Sequence, residues 1–154
     1  MKHGHERLSR VWVHALAVVS VAALLVGMWS SLALAGPGSG DRVDWYWVTP
    51  GQQLCFKVTN LAPKGKPIYD FHVLFSGSPL RIATIFRSPT GWAGTATPPS
   101  SAEWHTDASP IKMKASLADF CVNVGGGNGT PTHVKWWTTD RTGGTISSGD
   151  FEVT

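Results

Sequence analysis

Three histidines lie beyond the first 35 residues of the chain, and two of them have an aspartate two positions away. Asp70 precedes His72 and Asp107 follows His105, whereas His133 has no acidic residue at that spacing. Residues two apart in a strand point to the same side, so each pair could supply two ligands to a metal ion. A zinc site needs three or four converging ligands, often in a motif such as H-x-x-x-H or C-x-x-C, and the sequence contains neither. We therefore predict no metal and no cofactor.

The residue patterns of common catalytic sites are also missing. A blue-copper site needs a histidine soon after its cysteine and usually a methionine beyond, but the next histidine after Cys121 is His133 and no methionine follows. No G-x-S-x-G nucleophile elbow occurs. Asp41, Asp140 and Asp150 fall at predicted strand ends, where a small domain has little room for a carboxylate-lined cleft. The sequence predicts that the protein is not an enzyme.

The tryptophans are the more informative residues. Six of them lie in the 119 residues from 36 to 154, which is a high density. Trp136 and Trp137 are adjacent, so in a strand they face opposite ways, and Trp137 projects outward if Trp136 is in the core. By the same rule Tyr46 faces away from its two tryptophan neighbours, and Trp92 follows a Pro-Thr-Gly turn. We predict Tyr46, Trp92 and Trp137 as contact residues for sugar rings or a protein partner; the alternative is that a neighbouring strand, loop or second copy covers them.

The elements that must position these residues are short strands. Segments rich in β-branched and aromatic residues alternate with Gly/Pro-rich turns, and no helical period occurs after residue 35. The predicted strands are 42–48, 53–59, 68–75, 81–86, 102–106, 111–113, 117–124, 132–140 and 144–154.

The amino-terminal segment 1–35 has the pattern of a secretory signal peptide. A basic start is followed by an apolar run and by Ala33-x-Ala35, the small-residue exit that signal peptidase requires. A Gly/Pro/Ser-rich stretch then predicts a flexible mature N-terminus at 36–41. The competing interpretation is that 11–35 stays uncleaved as a membrane anchor, since a mainly apolar segment of 25 residues is long enough to cross a bilayer. The favoured localisation is secreted, that is, extracellular.

The mature chain is one nearly neutral domain, 42–154. Residues 36–154 carry ten basic and nine acidic residues, so the basic character of the whole chain belongs mostly to the leader. A charge this close to zero gives no reason to expect nucleic acid as a partner.

Seven to nine strands in a domain of this size predict an all-β fold, a small antiparallel β-sandwich that is immunoglobulin-like in architecture. The 66-position separation of Cys55 and Cys121 resembles the bridge between the two sheets of that fold, and an exported chain favours pairing of its two cysteines. The alternation argues against an inter-sheet bridge. Cys55 alternates with apolar Leu54 and Phe56, and Cys121 shares its phase with Asp119. We therefore predict a disulfide between neighbouring strands on the outer face of one sheet.

Asn128 is a possible glycosylation site. Asn128-Gly129-Thr130 matches the N-glycosylation acceptor and lies in a glycine-rich turn, where a sugar would be accessible. The Asn-Gly pair also forms turns, which explains its presence without a sugar.

These features together predict a secreted, non-catalytic module that acts by surface contact, with an extracellular glycan, a protein surface or a second copy as partner. A membrane is a partner only if 11–35 is retained. One alternative is a self-associating extracellular structural protein that pairs through exposed strand edges. The other is a small extracellular metal-binding protein or enzyme that uses Asp70, His72, His105 or His133.

Overall fold

The computed structural model describes residues 40–62, 65–77, 79–127 and 131–154. Within these residues the chain forms nine β-strands and no helix. This part of the chain therefore contains no helix that could span a membrane. The all-β prediction is confirmed. In chain order the strands are β1 (Arg42–Thr49), β2 (Gln53–Thr59), β3 (Asp70–Ser76), β4 (Arg81–Arg87), β5 (Ala93–Thr97), β6 (Ser101–His105), β7 (Ser116–Gly125), β8 (Thr132–Thr139) and β9 (Thr145–Val153).

The strands form two antiparallel sheets that pack face to face as a sandwich. The four-stranded sheet has the order β1-β2-β7-β4, and the five-stranded sheet has the order β5-β6-β3-β8-β9. Aromatic rings from the two sheets pack against each other in the core. Phe56 of β2 contacts Phe71 of β3, with ring centroids 5.9 Å apart. The small antiparallel sandwich expected from the sequence is therefore confirmed.

The core follows from the two-residue period of the strands. In β3 the buried Phe71, Val73 and Phe75 alternate with partly exposed polar and aliphatic residues. Phe71 stacks on Trp104 at 5.6 Å, and Trp104 meets Phe120 edge-on at the same distance. Such aromatic pairs add about 0.5–1.5 kcal/mol each beyond the area they bury. An aromatic cluster thus holds the sheets together.

The layout is that of an immunoglobulin variable-type sandwich, with four strands facing five. The chain path differs, however. After β3 the chain crosses to the four-stranded sheet as β4, and only then returns to add β5 and β6 to the five-stranded sheet. In the immunoglobulin path the two extra strands follow the third strand directly. The resemblance therefore holds for the architecture and not for the connectivity.

Cys55 and Cys121 form a disulfide between the neighbouring strands β2 and β7, as their alternation predicted. They are direct partners in the ladder, with Cα atoms 4.1 Å apart. Phe56, the next residue in β2, points into the core, so the sulfur atoms lie on the opposite side of the sheet. Both cysteines are nevertheless fully buried, flanked in the same cross-strand row by Tyr46 and Arg87.

Asp41 anchors the start of β1. The sequence assigns it to a flexible segment, but it is only 6% exposed. Its carboxylate accepts hydrogen bonds from the Leu61 N–H and the Thr138 hydroxyl, and its own N–H donates to Ser147 Oγ. The ordered domain therefore includes Asp41. Residues 1–35 and 36–39 lie outside the described residues, so the signal and anchor interpretations stay predictions.

The loop after β2 is organised by Asn60, which is fully buried. Its Nδ2 donates to the carbonyls of Lys66 and Ile111, both at 2.8 Å, and its Oδ1 accepts from the Ala62 N–H at 3.3 Å. The predicted strand 111–113 does not form, because Ile111 makes only an isolated bridge with Ile68. Asn60 and this bridge hold two loops against each other without a ladder.

The edge strand β5 was not expected from the sequence. Its residues are small (Ala-Gly-Thr-Ala-Thr) and lack the bulky side chains that mark the other strands. At Gly94 packing excludes a side chain, since a Cβ there would lie 2.7 Å from Nε1 of the buried Trp104.

Candidate functional site

The outer face of the five-stranded sheet carries an ordered array of polar side chains. The antiparallel ladder aligns the outward residues of its strands into rows that cross the sheet. The row at the middle of the face, here called the central row, runs from β5 to β9. It contains Thr95, Glu103, His72, Trp137 and Ser148.

Trp137 contributes an indole ring to this face and stacks on His72. The ring centroids are 4.8 Å apart and the rings are within 5° of parallel. Glu103 Oε2 lies 3.5 Å from His72 Nδ1. Burial lowers the pKa of His72 below its ordinary value, although the carboxylates of Glu103 and Asp70 act in the opposite direction. His72 is therefore mainly neutral at pH 7. Its ring packs flat against the indole of Trp137 and fixes the orientation of the indole.

A groove of about 500 Å³ lies along Trp137, over the paired strands β8 and β9. It is lined by residues 135–137 and 148–150 together with Thr145, and is here called the Trp137 groove. Because His72 covers one face of the indole, the face that borders the groove is the opposite one. Ser148, the neighbour of Trp137 in the central row, has a small side chain that leaves this indole face accessible.

Lys135 and Asp150 flank the groove and are not paired with each other. They are direct partners across β8 and β9, one row away from Trp137 and Ser148. Both are exposed, and within the described residues neither side chain has an ion pair or hydrogen bond. A positive and a negative group are thus available to a molecule in the groove.

On the other side of the central row, Asp70 and His105 form a cross-strand pair. His105 Nδ1 lies 2.5 Å from one Asp70 oxygen, and the Thr139 hydroxyl donates to the other. His105 Nε2 is 3.3 Å from Asp107. The hydrogen bond with Asp70 is the main reason that the pKa of His105 is raised. Among the described residues, no group of three or more His, Cys, Asp or Glu side chains is arranged to hold a metal ion.

His133 also has a carboxylate partner, since its Nε2 lies 3.1 Å from Glu152 across β8 and β9. The three histidines of the domain therefore share one face, each beside a carboxylate from a neighbouring strand. The two-residue spacings visible in the sequence do not reveal these pairs. The face is acidic, because the four carboxylates of Asp70, Glu103, Asp150 and Glu152 outnumber its one lysine, Lys135, and the histidine whose pKa is raised, His105.

Tyr46 lies on the outer face of the other sheet, in the row of the disulfide. Its hydroxyl donates to Asp119 Oδ1 at 3.1 Å, and Arg87 Nη1 lies 3.3 Å from the same oxygen. Asp119 occupies a bulge in β7 with a left-handed φ of 70°. Burial, reinforced by the Asp119 carboxylate, raises the pKa of Tyr46. Tyr46 therefore helps to enclose Cys55 and Cys121.

Trp92 is not an exposed contact residue, which corrects the prediction. It lies in the loop before β5, as its Pro-Thr-Gly turn indicated, but it is only 6% exposed. Its ring meets Phe120 edge-on at 5.1 Å, and its Nε1 donates to the Ser109 carbonyl at 3.0 Å. A turn motif shows that the chain reverses, but not that the loop folds back over the core.

The three predicted contact residues consequently do not form one patch. Tyr46 and Trp137 occupy the outer faces of opposite sheets, and Trp92 belongs to the core. Asn128, the predicted glycosylation site, lies outside the described residues. Sequence reasoning missed Ser148 and Asp150 as groove residues, although their alternation with buried Phe151 and Val153 places them on the outer face.

Comparison with known proteins adds no assignment. No protein-family model matches the chain, and no curated protein matches its sequence. The function is therefore argued from the geometry of the outer face.

Proposed function

We propose that the protein is a non-catalytic extracellular binding module that contacts its partner through the outer face of the five-stranded sheet, around Trp137. The observation that carries this proposal is the geometry of Trp137. Its indole is held flat against His72 and borders an open groove on its other face. A rigid aromatic ring at a partly exposed position binds with little loss of side-chain entropy, which is the property of a contact anchor.

The cysteines have a structural role. Both are joined in the disulfide, so neither is available as a thiol nucleophile. The disulfide also supports an oxidising, extracellular location.

The test is binding of the full chain to immobilised extracellular polymers. We expect it to co-sediment with an insoluble polysaccharide, or to bind collagen or fibronectin in a plate assay. Trp137→Ala should weaken that binding at least about tenfold, since a central aromatic anchor contributes more than about 1 kcal/mol.

Trp47→Ala is the matched control. Trp47 is also a half-buried tryptophan, but it lies in β1 and its Nε1 donates to the Thr154 carbonyl. Thermal melts of both variants show whether the fold survives. Binding that survives in folded Trp137→Ala but is lost in Trp47→Ala or Tyr46→Ala would place the contact on the other sheet and contradict the proposal.

A further inference from the structure

We propose that the Trp137 groove is a subsite for a neutral pyranose ring of a polysaccharide, which stacks on the free face of the indole. This inference rests on the proposed function and names its ligand class. Its support comes from the indole face, the polar rim, the charge of the surrounding face and the scarcity of apolar surface there.

The indole supplies a platform of the right chemistry. The face of an aromatic ring carries negative electrostatic potential, and the C–H groups on one face of a pyranose carry partial positive charge. Trp137 offers one such face, since His72 at 4.8 Å occupies the other. Stacking on His72 fixes the orientation of the indole before a ligand binds, so binding of a sugar ring costs little side-chain entropy.

The rim of the groove supplies partners for sugar hydroxyls. Along each strand, Lys135 and Asp150 lie two residues from Trp137 and Ser148, a distance of about 6.8 Å at about 3.4 Å per residue. This spacing places them beside the edge of a ring centred on the indole. An ammonium donates and a carboxylate accepts, whereas the Ser148 hydroxyl does either, so together they match the mixed donor and acceptor character of ring hydroxyls.

The charge of the face selects a neutral sugar. Glu103 lies in the central row, and three more carboxylates, those of Asp70, Asp150 and Glu152, lie on the same face, where Lys135 is the lysine among them. A uronate or a sulfated sugar would meet this acidic surface with a like charge, which costs free energy even in partly solvated positions. Neutral hexoses and N-acetylhexosamines avoid that repulsion.

A protein partner fits this surface less well. The centre of a protein interface is rich in apolar side chains and poor in charged ones. The large apolar side chains that are exposed in the described part of the chain are Val48, Leu61 and Met113, and none lies on the outer face of the five-stranded sheet. Trp137 is instead set among charged and hydroxyl side chains.

The test is calorimetric titration of the full chain with cellohexaose, chitohexaose and mannohexaose, with hexagalacturonate as the charged comparison. We expect at least one neutral hexamer to bind and hexagalacturonate to bind at least about tenfold more weakly. Trp137→Ala should abolish the binding. Ser148→Phe should do the same with the indole in place, because the new ring occupies the groove from an exposed position that tolerates substitution.

Asp150→Asn and Glu152→Gln form a matched pair. Each removes one negative charge from β9, but Asp150 borders the groove, whereas Glu152 pairs with His133. We expect Asp150→Asn to weaken binding about threefold to tenfold, because the amide oxygen still accepts a hydrogen bond but without the carboxylate charge, and Glu152→Gln to leave binding within about twofold.

The outcomes separate the two proposals. Binding of a neutral hexamer that depends on Trp137 and Ser148 supports both. If the hexamers do not bind but collagen or fibronectin binds in a Trp137-dependent manner, or if only hexagalacturonate binds, the neutral-sugar subsite is overturned while the contact face stands. If no polymer or oligosaccharide depends on Trp137, both proposals fail.

Discussion

Replacing Cys55 and Cys121 by valine removes the covalent link between β2 and β7 while keeping apolar side chains at two fully buried positions. The link closes a loop across 66 positions of sequence. In the chain-entropy model, opening a loop of that length costs about 4 kcal/mol at 25 °C, because the unfolded chain regains the conformations that the link excluded. A domain of this size has a free energy of unfolding of about 5–15 kcal/mol, so the loss is a large fraction of the total.

The assay is urea unfolding of the full chain followed by tryptophan fluorescence. With a slope of about 2 kcal/mol per M, a loss of about 4 kcal/mol lowers the urea midpoint by about 2 M. Tyr46→Phe is the control, because it removes the hydrogen bond to Asp119 above the disulfide and leaves the link intact. We expect that variant to lose about 1 kcal/mol.

A loss below about 1 kcal/mol in the double valine variant would refute the reasoning, since the link would then hardly constrain the unfolded chain. Two free thiols in the denatured, unreduced protein would refute the pairing itself.

Three further predictions concern the frame and the histidines. Asn60→Ala removes two hydrogen bonds donated by Nδ2 and one accepted by Oδ1 at a fully buried position, and should cost about 2–4 kcal/mol of unfolding free energy in urea. A change below about 0.5 kcal/mol would contradict the role of Asn60. Gly94→Ala places a Cβ 2.7 Å from the buried Trp104 Nε1, so we expect differential scanning calorimetry to show a lower thermal midpoint. An unchanged midpoint would show that β5 shifts to accommodate the Cβ at no cost in stability. In a nuclear magnetic resonance pH titration, His72 should lose its proton at lower pH than His105, and the reverse order would contradict the buried stack. By linkage, His72 destabilises the fold as pH falls below about 6.5, whereas the contribution of His105 is present in acid and lost as pH rises through its raised pKa.

Much of the fold could be predicted from the sequence, because the alternation of inward-facing and outward-facing residues along a strand is a local signal. The outward phase of Cys55 and Cys121 predicted their bond between neighbouring strands, which the ladder confirms. The same rule placed Trp136 in the core and Trp137 outside. Local patterns failed for β5, where the distant Trp104 ring leaves no room for a side chain at Gly94.

The candidate site could be predicted only in part, because it is built by register between strands that are far apart in sequence. Trp137 was expected on a surface, but its contact with His72 depends on the pairing of β3 with β8. Asp70 and His105 likewise meet only through the pairing of β3 with β6. The burial of Trp92 could not be predicted either, because no residue near it in sequence indicates that Phe120 packs against its ring.

The most direct test of the central claim is a chemical-shift map of the backbone amides and indole N–H groups, recorded while a bound polymer fragment is titrated into the full chain. The account predicts that the largest shifts cluster at residues 135–137 and 148–150 and at the Trp137 indole, with small changes at Tyr46 and Trp47. Shifts that cluster on β1, β2, β7 and β4 instead, with the Trp137 indole unmoved, would contradict it.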